Sequence, residues 1–221
     1  MNRAKVKICG ITNYQDASIA IGLGVDALGF IFAPSPRKID PGEACAIIRS
    51  LPPFVTTVGV FVNEKPATIR EIIRLCGLDM IQLHGDEPPD FCHAFMPRTI
   101  KAFRLKDDLT VESTKLYCGK VRAFLYDTYS EQKKGGTGKT FNWDLAVKGK
   151  GLGVPIILSG GITLLNVEPA LNTVRPYAID VNSGVEECPG KKSPILMTKL
   201  METVRKMTVG GMLNEGNGLL R

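Results

Sequence analysis

Eight short runs of apolar and β-branched residues recur along the chain, their starts about 19 to 32 positions apart. They are VKICGI (6–11), ALGFIFA (27–33), TTVGVFV (56–62), MIQLHG (80–85), TIKAFRL (99–105), AFLYDT (123–128), PIILSGG (155–161) and AIDVNSGV (178–185). Runs of this length that end in glycine or polar residues have the pattern of buried parallel strands. Between them lie segments with helical spacing, such as 16–24, 42–51, 66–77 and 164–174, and a last helix is expected over 193–207. Strand then helix, eight times, predicts the α/β class and a single (β/α)8 barrel of the TIM type with eight parallel strands. A doubly wound sheet alternates in the same way, but eight evenly spaced units favour closure.

The barrel domain is expected over 1–207, with 208–221 a flexible, glycine-rich tail. The longest excursion, 129–143, is rich in Gly, Lys and Thr, and loops of that length in a compact chain are usually functional. Composition narrows the partners. The 221 residues are 44% hydrophobic and 23% charged, which rules out wholesale disorder. A net charge of +6 suits an anionic small ligand, and no Lys/Arg run is dense enough to imply nucleic acid. No stretch reaches the roughly 18 apolar residues of a membrane span, and the N-terminus lacks an apolar signal core, so a cytoplasmic protein is expected. Six cysteines without a C-x-x-C pair and only two histidines argue against a disulfide framework and against zinc.

In such a barrel the active site lies at the C-terminal ends of the strands. Alternation places Lys5, Lys7 and Cys9 on one face of the first strand, and Gln82 and His84 on one face of the fourth. Leu125 and Asp127 share a face of the sixth; Ala178, Asp180 and Asn182 share one of the eighth. Polar groups from four strand ends would then converge on one pocket. Cys9 follows two lysines, whose charge would favour the reactive thiolate; the alternative is a small buried core cysteine. Asp127 is a lone carboxyl suited to proton donation, or else a helix N-cap. Gly160–Gly161 and Ser183–Gly184 pair two glycine-rich loops where barrels often bind phosphate, unless they are simply tight turns. Arg37 can form a bidentate pair with a carboxylate. Two decoys are set aside. GGTGKT (135–140) has Lys133 where a P-loop needs glycine, and GLGVDA (22–27) precedes a strand instead of following one.

With these residues assembled, the chain resembles the phosphoribosylanthranilate isomerase family of tryptophan biosynthesis. The likeness rests on KICGIT (7–12), GFIFAPSPRKI (29–39), GVFVNE (59–64), QLHGDE (82–87), LYDT (125–128), GGTGKTFNW (135–143), LSGGI (158–162), RPYAIDVNSGVE (175–186) and PGKK (189–192). It implies an Amadori rearrangement with Asp127 as general acid and Cys9 as general base. It further implies that Arg37 binds the anthranilate carboxylate, Asp180 contacts the sugar chain, and Gln82 and His84 line the pocket. Gly160, Gly161, Ser183 and Gly184 would hold the phosphate of a phosphorylated aminosugar. The same likeness implies no metal and no organic cofactor; a monomer or homodimer is expected. Two positions depart from the family pattern: Asn182, commonly serine, and Asn142, commonly aspartate. A related histidine-pathway isomerase is expected to use two aspartates, against which Cys9 argues. A non-catalytic phosphate or nucleotide sensor built on loop 129–143 is the alternative of a different class.

Overall fold

The structure, a computed structural model, describes residues 3–105, 108–127 and 143–215. The first half alternates β1 (Lys5–Cys9), α1 (Tyr14–Gly22), β2 (Ala27–Ile31), α2 (Pro41–Arg49), β3 (Thr56–Phe61), α3 (Pro66–Cys76), β4 (Met80–Leu83) and α4 (Pro89–His93). The second runs β5 (Thr99–Arg104), α5 (Asp108–Thr114), β6 (Ala123–Asp127), α6 (Trp143–Gly149), β7 (Ile156–Ser159), α7 (Val167–Val174) and β8 (Ala178–Val181). After β8 come a small antiparallel hairpin, β9 (Glu186–Cys188) and β10 (Lys191–Lys192), and the last helix, α8 (Pro194–Glu215).

Strands β1 to β8 form a closed barrel in sequence order, all pairs parallel, with β1 returning to β8 through Lys7 opposite Asp180. The expected (β/α)8 barrel is therefore the observed one. Outward-facing Ile8, Leu28, Phe30, Phe124 and Ile179 are fully buried under the helices. Inward-facing Val58, Ile100, Leu125, Ile157 and Ala178 fill the barrel's middle. Helix starts are written locally: the Asn13 side chain accepts from the Asp16 N–H at α1, and Asp40 accepts from Gly42 at α2. Helix α8 continues to Glu215, so residues 208–215, assigned to the tail by sequence, have helical backbone.

One buried ion pair shapes the active end. Lys101 and Glu87 are each 2% exposed and meet at 3.0 Å. The Lys101 ammonium also donates to the carbonyls of Leu83 and Gly85, while Glu87 accepts from the backbone N–H groups of Asn63 and Gly85. Both charges are thus saturated, and the loop that carries His84 is pinned to β5. Removing one member of such a pair strands the other charge, at a cost of about 3–5 kcal/mol.

Candidate active site

Sequence alternation places the inward polar residues correctly. Above the apolar barrel layer lies a second layer of Lys7, Gln82 and Asp180, 3%, 1% and 6% exposed. The Lys7 Nζ donates to Asp180 Oδ1 at 2.9 Å and to Gln82 Oε1 at 2.8 Å. The Gln82 amide nitrogen then lies 2.8 Å from His84 Nδ1, and the far ring nitrogen of His84 stands 3.9 Å from Asp127 Oδ2. One polar line therefore crosses the barrel mouth from β8 through β1 and β4 to β6. Lys5, on the same strand face as Lys7, belongs to the opposite end of the barrel, where it pairs with Asp26 at 3.0 Å.

Cys9 ends β1 beside Gly29 of β2. A side chain at residue 29 would put its Cβ 2.8 Å from the Cys9 sulfur and 3.0 Å from Lys7 Cε, so glycine is what leaves room for both. The thiol is 4% exposed. Its electrostatics correct the sequence expectation of a ready thiolate. Burial pushes the Cys9 pKa up; the Lys7 and Lys192 ammonium groups pull it down, the Asp180 carboxylate adds to the rise, and the net direction is upward. Lys7 itself is opposed by burial but held charged by Asp180 and by the Cys9 sulfur, so its pKa moves up. The lysine charge that sequence assigned to Cys9 is shared with a carboxylate.

Arg37 reaches the rim and forms a fork with Glu186: Nε lies 2.8 Å from Oε1 and the terminal Nη2 2.6 Å from Oε2. Glu186 also accepts from Lys192 at 2.8 Å, and Lys192 from its other side donates to Asn182 Oδ1 at 2.9 Å. Asn182 is thus tied to the β9–β10 hairpin. Glu186 and Lys192 were missed from sequence as site residues, because only the tertiary fold brings that hairpin to the Arg37 loop. The segments NSGVE and PGKK were their one visible trace.

The two glycine loops do come together. Gly160 and Gly161 take φ values of 93° and 71°, a region that favours glycine, and Asn166 bonds to the Gly161 carbonyl at 2.9 Å. Ser183–Val185 forms one 3-10 turn after β8, and a Cβ on Gly184 would fall 1.9 Å from the Ile162 carbonyl oxygen. Backbone meets backbone there. Residues 128–142, including most of the long excursion expected to be functional, the GGTGKT stretch and Asn142, lie outside the described residues. Among the described residues no group of three or more His, Cys, Asp or Glu side chains is placed to hold a metal ion.

The family model and the curated relatives agree on one family. The model of N-(5'-phosphoribosyl)anthranilate isomerase matches residues 6–203. A curated relative of that name from Geobacter sulfurreducens is 52% identical over 189 residues, 85% of this chain and 92% of the relative. A crystal structure of phosphoribosylanthranilate isomerase in complex with reduced 1-(o-carboxyphenylamino)-1-deoxyribulose 5-phosphate has a TM-score of 0.83 at 38% identity, covering 92% of this chain and 99% of that one. Monomers generated from the dimeric phosphoribosylanthranilate isomerase of Thermotoga maritima give a TM-score of 0.82 at 37% identity, with the same coverage.

Proposed function

The chain belongs to the N-(5'-phosphoribosyl)anthranilate isomerase family, and from that premise we propose that Asp127 and Cys9 carry its proton transfers. The reaction is an intramolecular aldose–ketose isomerisation in tryptophan biosynthesis, from N-(5'-phosphoribosyl)anthranilate to 1-(o-carboxyphenylamino)-1-deoxyribulose 5-phosphate. Asp127 gives its proton to the furanose ring oxygen as the bond from C1 to that oxygen breaks, and the nitrogen lone pair forms the C1–N iminium. The Cys9 thiolate then takes the proton from C2. The electron pair left behind becomes the C1–C2 double bond and returns the nitrogen to neutrality, and the resulting enolamine tautomerises to the ketone. The observation that carries the assignment is the position of the two groups, on inward faces at the C-terminal ends of β1 and β6. The iminium's positive charge next to Cys9 offsets the burial that holds the free thiol protonated, so the thiol first releases its own proton to water and the thiolate is then free to take the one on C2.

Arg37 is the ligand for the anthranilate carboxylate, with its guanidinium plane set by Glu186. Asp180 lies beside the sugar chain. The phosphate goes to the backbone N–H groups of Gly160, Gly161, Ser183 and Gly184, where a Cβ on Gly184 would run into the Ile162 carbonyl. Gly161→Ala strains a φ of 71° and is expected to raise KM about tenfold or more, with kcat little changed. Inorganic phosphate should compete with substrate at about millimolar to tens of millimolar, the range of weak anion sites. Unchanged KM together with no phosphate competition would move the anion elsewhere. A cytoplasmic location follows from the biosynthetic role, and the catalytic domain extends past the expected 207 to the end of α8 at Glu215.

The partner is a second copy of the chain. Phe54, in the loop before β3, is fully exposed and has a φ of 70°, a conformation that costs a non-glycine residue about 1–3 kcal/mol. It stands at a cavity of 820 Å³ at the N-terminal end of the barrel, lined also by Val25, Met80, Met96, Val154 and Tyr177. An aromatic side chain presented to water beside an open cavity that Lys5, Asp26 and Arg122 line together with these apolar residues suits a self-complementary contact. Wild-type protein is expected to sediment as a dimer at micromolar concentration, and Phe54→Asp as a monomer with kcat within about twofold. A monomeric wild type would remove this surface from the account.

A further inference from the structure

The polar line across the barrel mouth has a direction. Lys7 is a cation and can only donate, so the oxygen of the Gln82 amide must face it and the NH2 must face His84. With the amide reversed, an NH2 group would stand against an ammonium. An amide N–H pointing at Nδ1 requires an unprotonated nitrogen there. Burial pulls the His84 pKa down, reinforced by the charges of Lys7 and Arg104 and opposed by Asp127 and Asp180, so the ring is neutral near pH 7. A neutral imidazole that accepts at Nδ1 carries its hydrogen on Nε2, the nitrogen 3.9 Å from Asp127 Oδ2.

We propose that Gln82 is a positioning residue, whose amide, braced by Lys7, fixes His84 as the Nε2–H tautomer aimed at Asp127. This rests on Asp127 being the acid proposed above. When Asp127 gives up its proton, negative charge appears on its carboxyl group. A neutral N–H donor 3.9 Å from Oδ2 stabilises that charge as it forms. The opposite tautomer would present a lone pair to the forming carboxylate. Gln82 is buried to 1% exposure, with one end of its amide on Lys7 and the other on His84. That distinguishes it from a substrate ligand.

The chain has only two histidines, His84 and His93, so the imidazole nitrogens can be assigned in a long-range 15N–1H correlation spectrum with a His93→Asn variant as reference. Wild-type protein near pH 7 is expected to show His84 protonated at Nε2 and bare at Nδ1. Gln82→Glu keeps size and shape but replaces the donor with an acceptor. It should move the hydrogen to Nδ1 or charge the ring, and lower kcat by up to about 10²-fold, the scale of a misplaced catalytic group. KM should stay within about threefold. Gln82→Met, which offers neither donor nor acceptor, should give mixed tautomers and a smaller loss. A wild-type His84 with hydrogen on Nδ1, or as imidazolium, would overturn the proposal, as would Gln82→Glu with wild-type tautomer and kcat. Full activity in Asp127→Asn would instead remove the acid and leave the tautomer assignment intact.

Discussion

Asp127→Asn is expected to lower kcat by about 10²–10⁴-fold, the usual contribution of a positioned general acid. The amide has the size and polarity of the carboxyl group and accepts from the same donors. It has no proton acidic enough to transfer to a ring oxygen. KM should therefore change by less than about threefold, because the lost interaction exists only in the transition state. Steady-state kinetics followed by the fluorescence change from substrate to product separates the two parameters. Asp127 also has a quarter of its side chain exposed and asparagine fills the same volume, so the melting temperature should hardly move. Turnover near the wild-type value in a folded Asp127→Asn protein would mean that ring opening draws its proton from elsewhere.

The barrel was legible in sequence because its two periodicities are independent. Strand runs such as TTVGVFV and PIILSGG are apolar on both faces, as strands covered by helices outside and side chains inside must be. What apolarity does not encode is where pairing stops. AIDVNSGV reads as one run, yet β8 ends at Val181 and Ser183–Val185 turns back in a 3-10 turn against the Ile162 carbonyl. The residues that overran the strands are the ones in the two glycine loops proposed to hold the phosphate. Helix α8 runs past its expected end for a related reason: Gly210 and Gly211 have weak helix propensity, about 1 kcal/mol each against alanine, and the pattern read as tail.

Strand alternation also located Lys7, Cys9, Gln82, Asp127 and Asp180 on the inward face, since parity is a local property. The partners were not local. Lys101 and Lys192, both buried, have no local sign of their partners, because Glu87 and Glu186 reach them only in the folded barrel. The same blindness reversed the reading of Cys9. From sequence, Lys7 two residues earlier is a neighbouring positive charge; in the fold, Asp180 stands opposite Lys7 and takes much of that charge.

That reversal makes Cys9 the most discriminating residue to test. Cys9→Ser is expected to lose about 10²–10⁴-fold in kcat, because a hydroxyl is far too weak a base at pH 7 to take a proton from carbon. The thiol should nevertheless be slow toward iodoacetamide in the free enzyme, since its pKa is raised and only the thiolate reacts. The exposed Cys118 and Cys188 should label first, without loss of activity. Activity should decline only as Cys9 is modified, and a bound product analogue should protect it. The neighbours predict opposite signs. Lys7→Met removes the ammonium that lowers the Cys9 pKa, so the pH at which alkylation accelerates should rise; Asp180→Asn removes a carboxylate that raises it, so that pH should fall. Mass spectrometry after partial inactivation, repeated across pH for the three proteins, reads all of this at one sulfur. Activity loss tracking another cysteine while Cys9 stays unmodified would take Cys9 out of the mechanism, and shifts of the same sign in both variants would mean that Lys7 and Asp180 act on it through structure and not through charge.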